Sequence, residues 1–289
     1  MAFTFYKVSN HGVGHPVVAR LSLQTIELLK FGGLSKQQEG KVAELYMGTL
    51  QPRLLKCHDI FDRLTKALKE SVDRIKPRTD GSMRELPYVA ELRGEVEAFL
   101  YEVKNYLRDL LGLFQTCVDC ELKNASDLYN AKGEGDSAVV KWANEKYEAD
   151  HRLSNLLRTE QPWVEQVIRA RNAVDHPGGK SGTLVIHNVR ACAEGWVPPC
   201  WSRDGQPESD ILTDMSTLMH NMLTLAEDLL IECIVHTTPH PAITFYEVPE
   251  AERDPKSPIR IRVGLKPWVA AAIDEDNAKR RSEQSDDNI

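Results

Sequence analysis

The stretch "VAELYMGTLQPRLLKCHDIFDRLTKALKESVDRI", residues 42–75, places Val42, Leu45, Tyr46, Leu50, Leu54, Cys57, Phe61, Leu64, Leu68, Val72 and Ile75 three or four positions apart. That spacing gathers the apolar side chains on one face of an α-helix. It predicts one long helix starting after Ser35 and bent at Pro52, where the ring removes a backbone donor while the apolar register runs on. "KPRTDGS", residues 76–82, ends it. A second helix is expected from Pro87 to Cys120, with Val89, Leu92, Val96, Phe99, Val103, Tyr106, Leu110, Leu113 and Cys117 on its buried stripe. Two such helices joined by a short turn imply an antiparallel pair. A third helical stretch, 137–158, leads through a cap at Thr159 and Pro162 into "WVEQVIRARNAVDH", which stops before Pro177 and Gly178. After Ser209 and Asp210, a capping pair, Ile211 to Cys233 reads as a fourth long helix.

The remaining segments are short. "MAFTFYKVSN", residues 1–10, alternates as a strand does. "TLVIHNVRA" and "GWVPPCW" read as a hairpin near 182–202, and "ITFYEVP" and "PIRIRVGL" as strands that pair with each other or with the N-terminal one. The polar end of the chain is expected to be disordered. The fold class is therefore mainly α: four to five long helices over 35–238 carry the hairpin insertion. An N-terminal strand and connector at 1–34, a short β annex at 239–271 and a disordered tail at 272–289 flank them.

With 289 residues, 42% of them hydrophobic, the chain can bury a sizeable core. Its net charge of −7 excludes a polycation that coats nucleic acid, so any contact with RNA must be local. Between Arg152 and Arg190 there are six Lys and Arg against three acids, a basic island of +3 with His176 and His187 inside it and His151 beside it. No apolar run approaches the roughly 18 residues of a membrane span, and the start lacks the pattern of a secretion signal, so the expected location is cytoplasmic with no membrane partner. Six scattered cysteines point to reduced thiols. Cys117 and Cys120 have the spacing of half a zinc site, with Cys192 and Cys200 as partners by type, but they close an apolar helix where cysteine commonly fills a core. The NTPase, zinc-protease, α/β-hydrolase and dinucleotide-binding patterns are all missing, so neither a metal nor a cofactor is expected. Met215, Met219 and Met222 at helical spacing read as core or dimer contact.

What remains is "RARNAVDHPGG", residues 169–179. On a regular helix Asn172 and His176 share a face and Arg171 lies beside it, within reach by virtue of its long side chain. These are the parts needed for metal-free phosphodiester cleavage. A guanidinium forks onto the phosphate, an imidazole moves the proton of the 2′-hydroxyl or of the leaving group, and an amide orients one of them. The same residues also suit a helix end, whose carbonyls Arg171 and His176 complement. The residues alone leave both readings open.

Arg171-Asn172, three further residues and His176, at the end of a helix in a long-helix bundle, resemble the HEPN family (higher eukaryotes and prokaryotes nucleotide-binding domain). The resemblance implies a HEPN-like bundle and a metal-independent endoribonuclease of the kind found in toxin–antitoxin, antiviral defence and RNA-processing systems. It implies a homodimer in which two copies of the motif face one cleft and leave 2′,3′-cyclic phosphate ends, with an antitoxin or another protein as a further partner. Carried over, Arg171 holds the scissile phosphate, His176 is the acid or base and Asn172 supports them. Arg169, Lys180 and Arg190 are the expected RNA contacts around them. Some members of the family are non-catalytic modules that bind nucleotide, RNA or protein, which is the alternative.

Overall fold

A computed structural model of the chain describes residues 10–75, 85–130, 132, 135–192, 195–236 and 241–286. The strand expected over 1–10 lies outside them, apart from Asn10. The protein is mainly helical, as its periodicity predicts. Helix α1 covers 16–29, α2 36–73, α3 Leu92–Cys117, α4 Ala138–Tyr147, α5 Arg152–Asp175, α6 Ile211–His236 and α7 Pro267–Asp286.

Helix α1 replaces the connector expected at 1–34. It starts with His15 as N-cap, whose ring accepts the Val17 amide, and with Pro16 in its first turn, where the missing donor costs nothing. Its buried face mixes Val17, Leu21 and Leu28 with Arg20, Gln24 and Thr25. A polar buried face leaves no hydrophobic period to read.

Helix α2 is one element, as expected, and a capping box joins Ser35 and Gln38 at its start. Ahead of Pro52 the chain winds as a π-helix over Glu44–Leu50. The wider turn sits where the proline has removed a regular backbone bond. Tyr46 and, on α3, Tyr106 are fully buried and donate to the carbonyls of Ala226 (2.6 Å) and Met222 (3.0 Å) on α6. Helices α2, α3 and α6 pack together, and α5 lies against α3.

Helices α4 and α5 divide differently from the reading of the sequence. The break falls at 148–151, where Glu148 has φ 81° and His151 caps α5 by accepting the Leu153 amide at 3.2 Å. Thr159 caps nothing and Pro162 lies inside α5. The stripe Leu153, Leu157, Val164, Val167 and Ile168 is buried on both sides of it, and that packing outweighs the lost hydrogen bond. Asp210 caps α6 as expected, accepting the Thr213 amide at 2.7 Å.

Strands β1 (Leu184–His187), β4 (Cys200–Arg203) and β5 (Ser209–Asp210) form an antiparallel sheet in the order β1-β4-β5. Inside the long hairpin a smaller one pairs β2 (Arg190–Cys192) with β3 (Gly195–Val197). In the annex β6 (Ile243–Glu247) pairs antiparallel with β7 (Ile261–Leu265). The β7 side is tied to α1 by side chains: Gln24 Oε1 accepts the amides of Arg260 (2.8 Å) and Ile261 (2.7 Å), and Glu27 accepts that of Val263 (3.1 Å). Those acceptors satisfy donors that would otherwise be left on a sheet edge.

The tail expected to be disordered from 272 is helical to Asp286. Three alanines at 270–272 and the long charged residues after them have high helix propensity, and proline is absent once the helix has begun. Among the described residues no helix is long and apolar enough to cross a membrane.

Candidate functional site

The C-terminal half of α5 carries the motif because its apolar positions, Val164, Val167 and Ile168, anchor one side of the helix and leave Arg169, Arg171 and Asn172 at its margins. The helix ends at Asp175. His176 leaves the helical conformation (φ −135°, ψ 70°), while its amide still bonds to the Asn172 carbonyl at 2.9 Å. Gly178 takes φ +76°, a left-handed conformation open to glycine at no steric cost. The loop then closes on itself, with the Gly178 amide on the Gly182 carbonyl at 3.1 Å and the Gly179 amide on the His176 carbonyl at 2.9 Å. This end exposes the His176 ring to solvent, and no side-chain partner meets it among the described residues.

Arg171 turns the other way, toward α3. Its guanidinium lies over the Tyr101 ring, 5.4 Å from the centroid, and it pairs with Asp175 one turn on. The Asp175 contact is an ion pair without hydrogen-bond alignment, and the buried Nε of Arg171 has no hydrogen-bond partner among the described residues. Asn172 is held in both directions: its carbonyl oxygen accepts from Lys104 Nζ at 2.7 Å, and its amide donates to the Tyr129 hydroxyl at 3.4 Å. Arg169 stacks over the same Tyr129 ring (5.4 Å), donates to Glu165 at 2.7 Å and reaches the Asn130 carbonyl at 3.1 Å.

The end of α5 and the facing side of α3 thus bring together three cations, Lys104, Arg169 and Arg171, and two tyrosines. Of these, Lys104, Tyr101 and Tyr129 were not legible as site residues. Tyr101 and Lys104 lie off the apolar stripe of α3, and only their place three residues apart on one helix puts them together. Two acids temper the cluster, since Glu165 and Asp175 each sit one helical turn from an arginine.

The structure brings neither Lys180 nor Arg190 into contact with this cluster. Lys180 stands exposed on the loop after the helix. Arg190 is engaged inside the hairpin, where its Nη2 meets the Cys200 sulfur at 3.1 Å and pairs with Glu208. The bond from Arg190, followed by the one from Cys200, holds the Glu208 carboxyl below its usual range, and His187 completes the group at 3.4 Å from Glu208. Cys117, the first of the two cysteines with half-site spacing, is engaged by α6. Its sulfur is hydrogen-bonded to Cys233 of α6, which lowers the Cys117 thiol and raises that of Cys233. Among the described residues no three His, Cys, Asp or Glu side chains have a metal-holding arrangement.

Comparison with family models, with curated proteins and with solved structures finds no match for this chain. The physical arrangement therefore carries the functional reading alone. Beside the cluster, an outer cleft of about 640 Å³ is lined by Glu165, Arg169, Arg203 and Glu208. Burial, followed by the charge of Arg169, weakens the hold of Arg203 on its proton, and both arginines line the cleft.

Proposed function

We propose that this protein is a metal-independent endoribonuclease of HEPN type that acts as a homodimer. The observation that carries the reading is the exposed His176 ring at a helix end, with Arg171 and Asn172 in the preceding turn and Lys104 of α3 bonded to Asn172. In the reaction the 2′-oxygen of the RNA attacks the adjacent phosphorus, the bond from phosphorus to the 5′-oxygen breaks, and a 2′,3′-cyclic phosphate remains. One His176 takes the proton of the 2′-hydroxyl, and the His176 of a second copy supplies one to the departing 5′-oxygen. Arg171 and Lys104 stabilise the charge that develops on the phosphate. Arg171 is held against Tyr101 of α3 while His176 is exposed past the end of α5, so two copies facing each other would complete what one copy holds only in part. A toxin or phage-defence setting, with an antitoxin as partner, follows from the family resemblance.

The test is cleavage of single-stranded and structured RNA by the purified protein in EDTA. His176→Ala should abolish it and Arg171→Ala slow it by about 10²–10³-fold, while circular dichroism and melting stay those of the parent; unchanged cleavage in folded variants sinks the proposal. A second reading, a non-catalytic module that binds RNA or nucleotide, is favoured by one observation: Asp175 already occupies Arg171. RNA affinity without turnover, lost in Arg169→Ala and kept in His176→Ala, would select it.

A further inference from the structure

A second cavity lies between α5, the β1–β4–β5 sheet and α6. Its volume is about 140 Å³, close to the roughly 150 Å³ apolar cavity that accepts a benzene ring. Trp163, Val167, Trp201 and Leu218 make its apolar walls. Asp214, Asn221, Gln166 and Arg203 are the polar groups that reach it. Gln166, Arg203, Gln206, Pro207 and Ser209 belong to this cavity and to the outer cleft alike, so the two spaces adjoin along that edge.

Asp214 decides what fits. Its Oδ2 accepts from the Trp201 indole and from the Ser209 hydroxyl, both at 2.5 Å, which fixes the carboxylate in place. No protein donor reaches Oδ1 among the described residues. Asp214, Thr217, Leu218 and Asn221 lie at i, i+3, i+4 and i+7, so a flat ring seated against α6 meets a carboxylate and a carboxamide along one edge. A carboxylate in such a place selects a ring that offers N–H donors.

We propose that this cavity is a recognition pocket for one nucleobase with a donor edge, namely guanine, whose N1–H and N2–H₂ converge on Asp214 Oδ1 while its sugar and phosphate leave past Arg203 and Arg169. Guanine places two donors side by side; adenine offers only its exocyclic amine beside a ring acceptor, and the pyrimidines present less surface to the tryptophans. The same helix carries the pocket wall and the cleavage motif. At about 1.5 Å per residue, Ala170 in the wall and His176 are about 9 Å apart along α5. A base in the pocket thus sits beside the scissile nucleotide, a step that rests on the ribonuclease reading; base binding itself does not.

Guanosine 5′-monophosphate, adenosine 5′-monophosphate and short single-stranded RNAs with and without guanine would be titrated into the full chain, followed by calorimetry and tryptophan fluorescence. Guanosine monophosphate should bind about tenfold or more tightly than the adenosine form, the discrimination a well-aligned pair of hydrogen bonds provides. Ala170→Leu, which fills the cavity without touching a polar group, should remove that binding and leave the melting temperature in place. Asp214→Asn should lose the guanine preference. Because Asp214 also holds Trp201 and Ser209, Ala170→Leu carries the test if that variant fails to fold. Guanine-containing RNA binding more tightly than the mononucleotide identifies an RNA base as the occupant; equal affinities identify free nucleotide. Equal affinity for the two mononucleotides, or binding untouched by Ala170→Leu, overturns the pocket. Cleavage that depends on Arg171 and His176 without any guanine binding overturns the pocket and spares the ribonuclease, while guanine binding without cleavage does the reverse.

Discussion

Two arginine–carboxylate networks in this protein are built from the same groups and differ in what is left over. At the junction of α1, α6 and β7, Glu227 is 1% exposed and receives Arg20, Gln24 (2.7 Å) and Arg260 (3.3 Å). Arg260 is further bound by Asp228 at 2.7 Å and by Glu247 at 3.1 Å. Each charge there is matched and hydrogen-bonded, the condition under which a buried ion pair is tolerated. At the end of α5, Arg171 has a single carboxylate beside it, a tyrosine face and a buried Nε without a partner. The first network holds three elements in one arrangement. The second leaves a buried donor unpaired, and the proposed function rests on that difference between the two networks.

The largest expected effect tests the structural half of this contrast. Glu227→Ala leaves Arg20 buried without its partner and should lower unfolding free energy by about 3–5 kcal/mol, read by urea denaturation. A loss below about 1 kcal/mol would erase the distinction between the two networks. Next comes Arg171→Ala, expected to slow RNA cleavage by about 10²–10³-fold, as the loss of one transition-state donor does. Its stability should change by less than about 1 kcal/mol, because the pair with Asp175 is partly open to water. A fall in stability matching that of Glu227→Ala would make Arg171 structural. Asp175→Asn sharpens the comparison from the other side. Releasing Arg171 should cost only about 0.3–0.5 kcal/mol and tighten RNA binding severalfold, as measured by fluorescence anisotropy at two salt concentrations.

The smallest effect comes from a third polar group, the neighbouring rings of His11, His15 and His58, tilted in the first pair and edge-to-face in the second. Burial, reinforced by His15, pushes His58 down to about 4, against the opposing pull of Asp62 and Asp59. The unfolded chain holds that proton more tightly, near the ordinary value of about 6.5. The contribution of His58 to stability is therefore complete above that value and is lost as pH falls from there toward about 4. His58→Gln should flatten that slope in denaturation series run across the range; an unchanged slope would place the titration elsewhere.

The helices were legible where burial is apolar. The stripes of α2, α3 and α6 predict them closely because each turn presents a hydrophobic residue to the core. Helix α1 was hidden for the opposite reason, since Arg20, Gln24 and Thr25 occupy its buried face, and Arg20 and Gln24 acquire their partners only from α6, β7 and the chain leading into it. The boundary between α4 and α5 was misplaced because a cap signal and a proline are local, whereas the stripe that runs through Pro162 is rewarded only by packing. At the α5 end, Arg171, Asn172 and His176 could be read as a spacing, but the directions of their side chains could not. Lys104, Tyr101 and Tyr129 come from distant parts of the chain.

By itself the sequence determined that this is a mainly helical protein with a basic, histidine-bearing helix end, because periodicity and charge are properties of neighbouring residues. Only the tertiary structure decided that Arg171 faces α3 while His176 faces solvent, and that Trp163 and Trp201 close a cavity around Asp214. Those facts depend on which surfaces meet, and contacts between residues far apart in the chain leave no trace in local pattern.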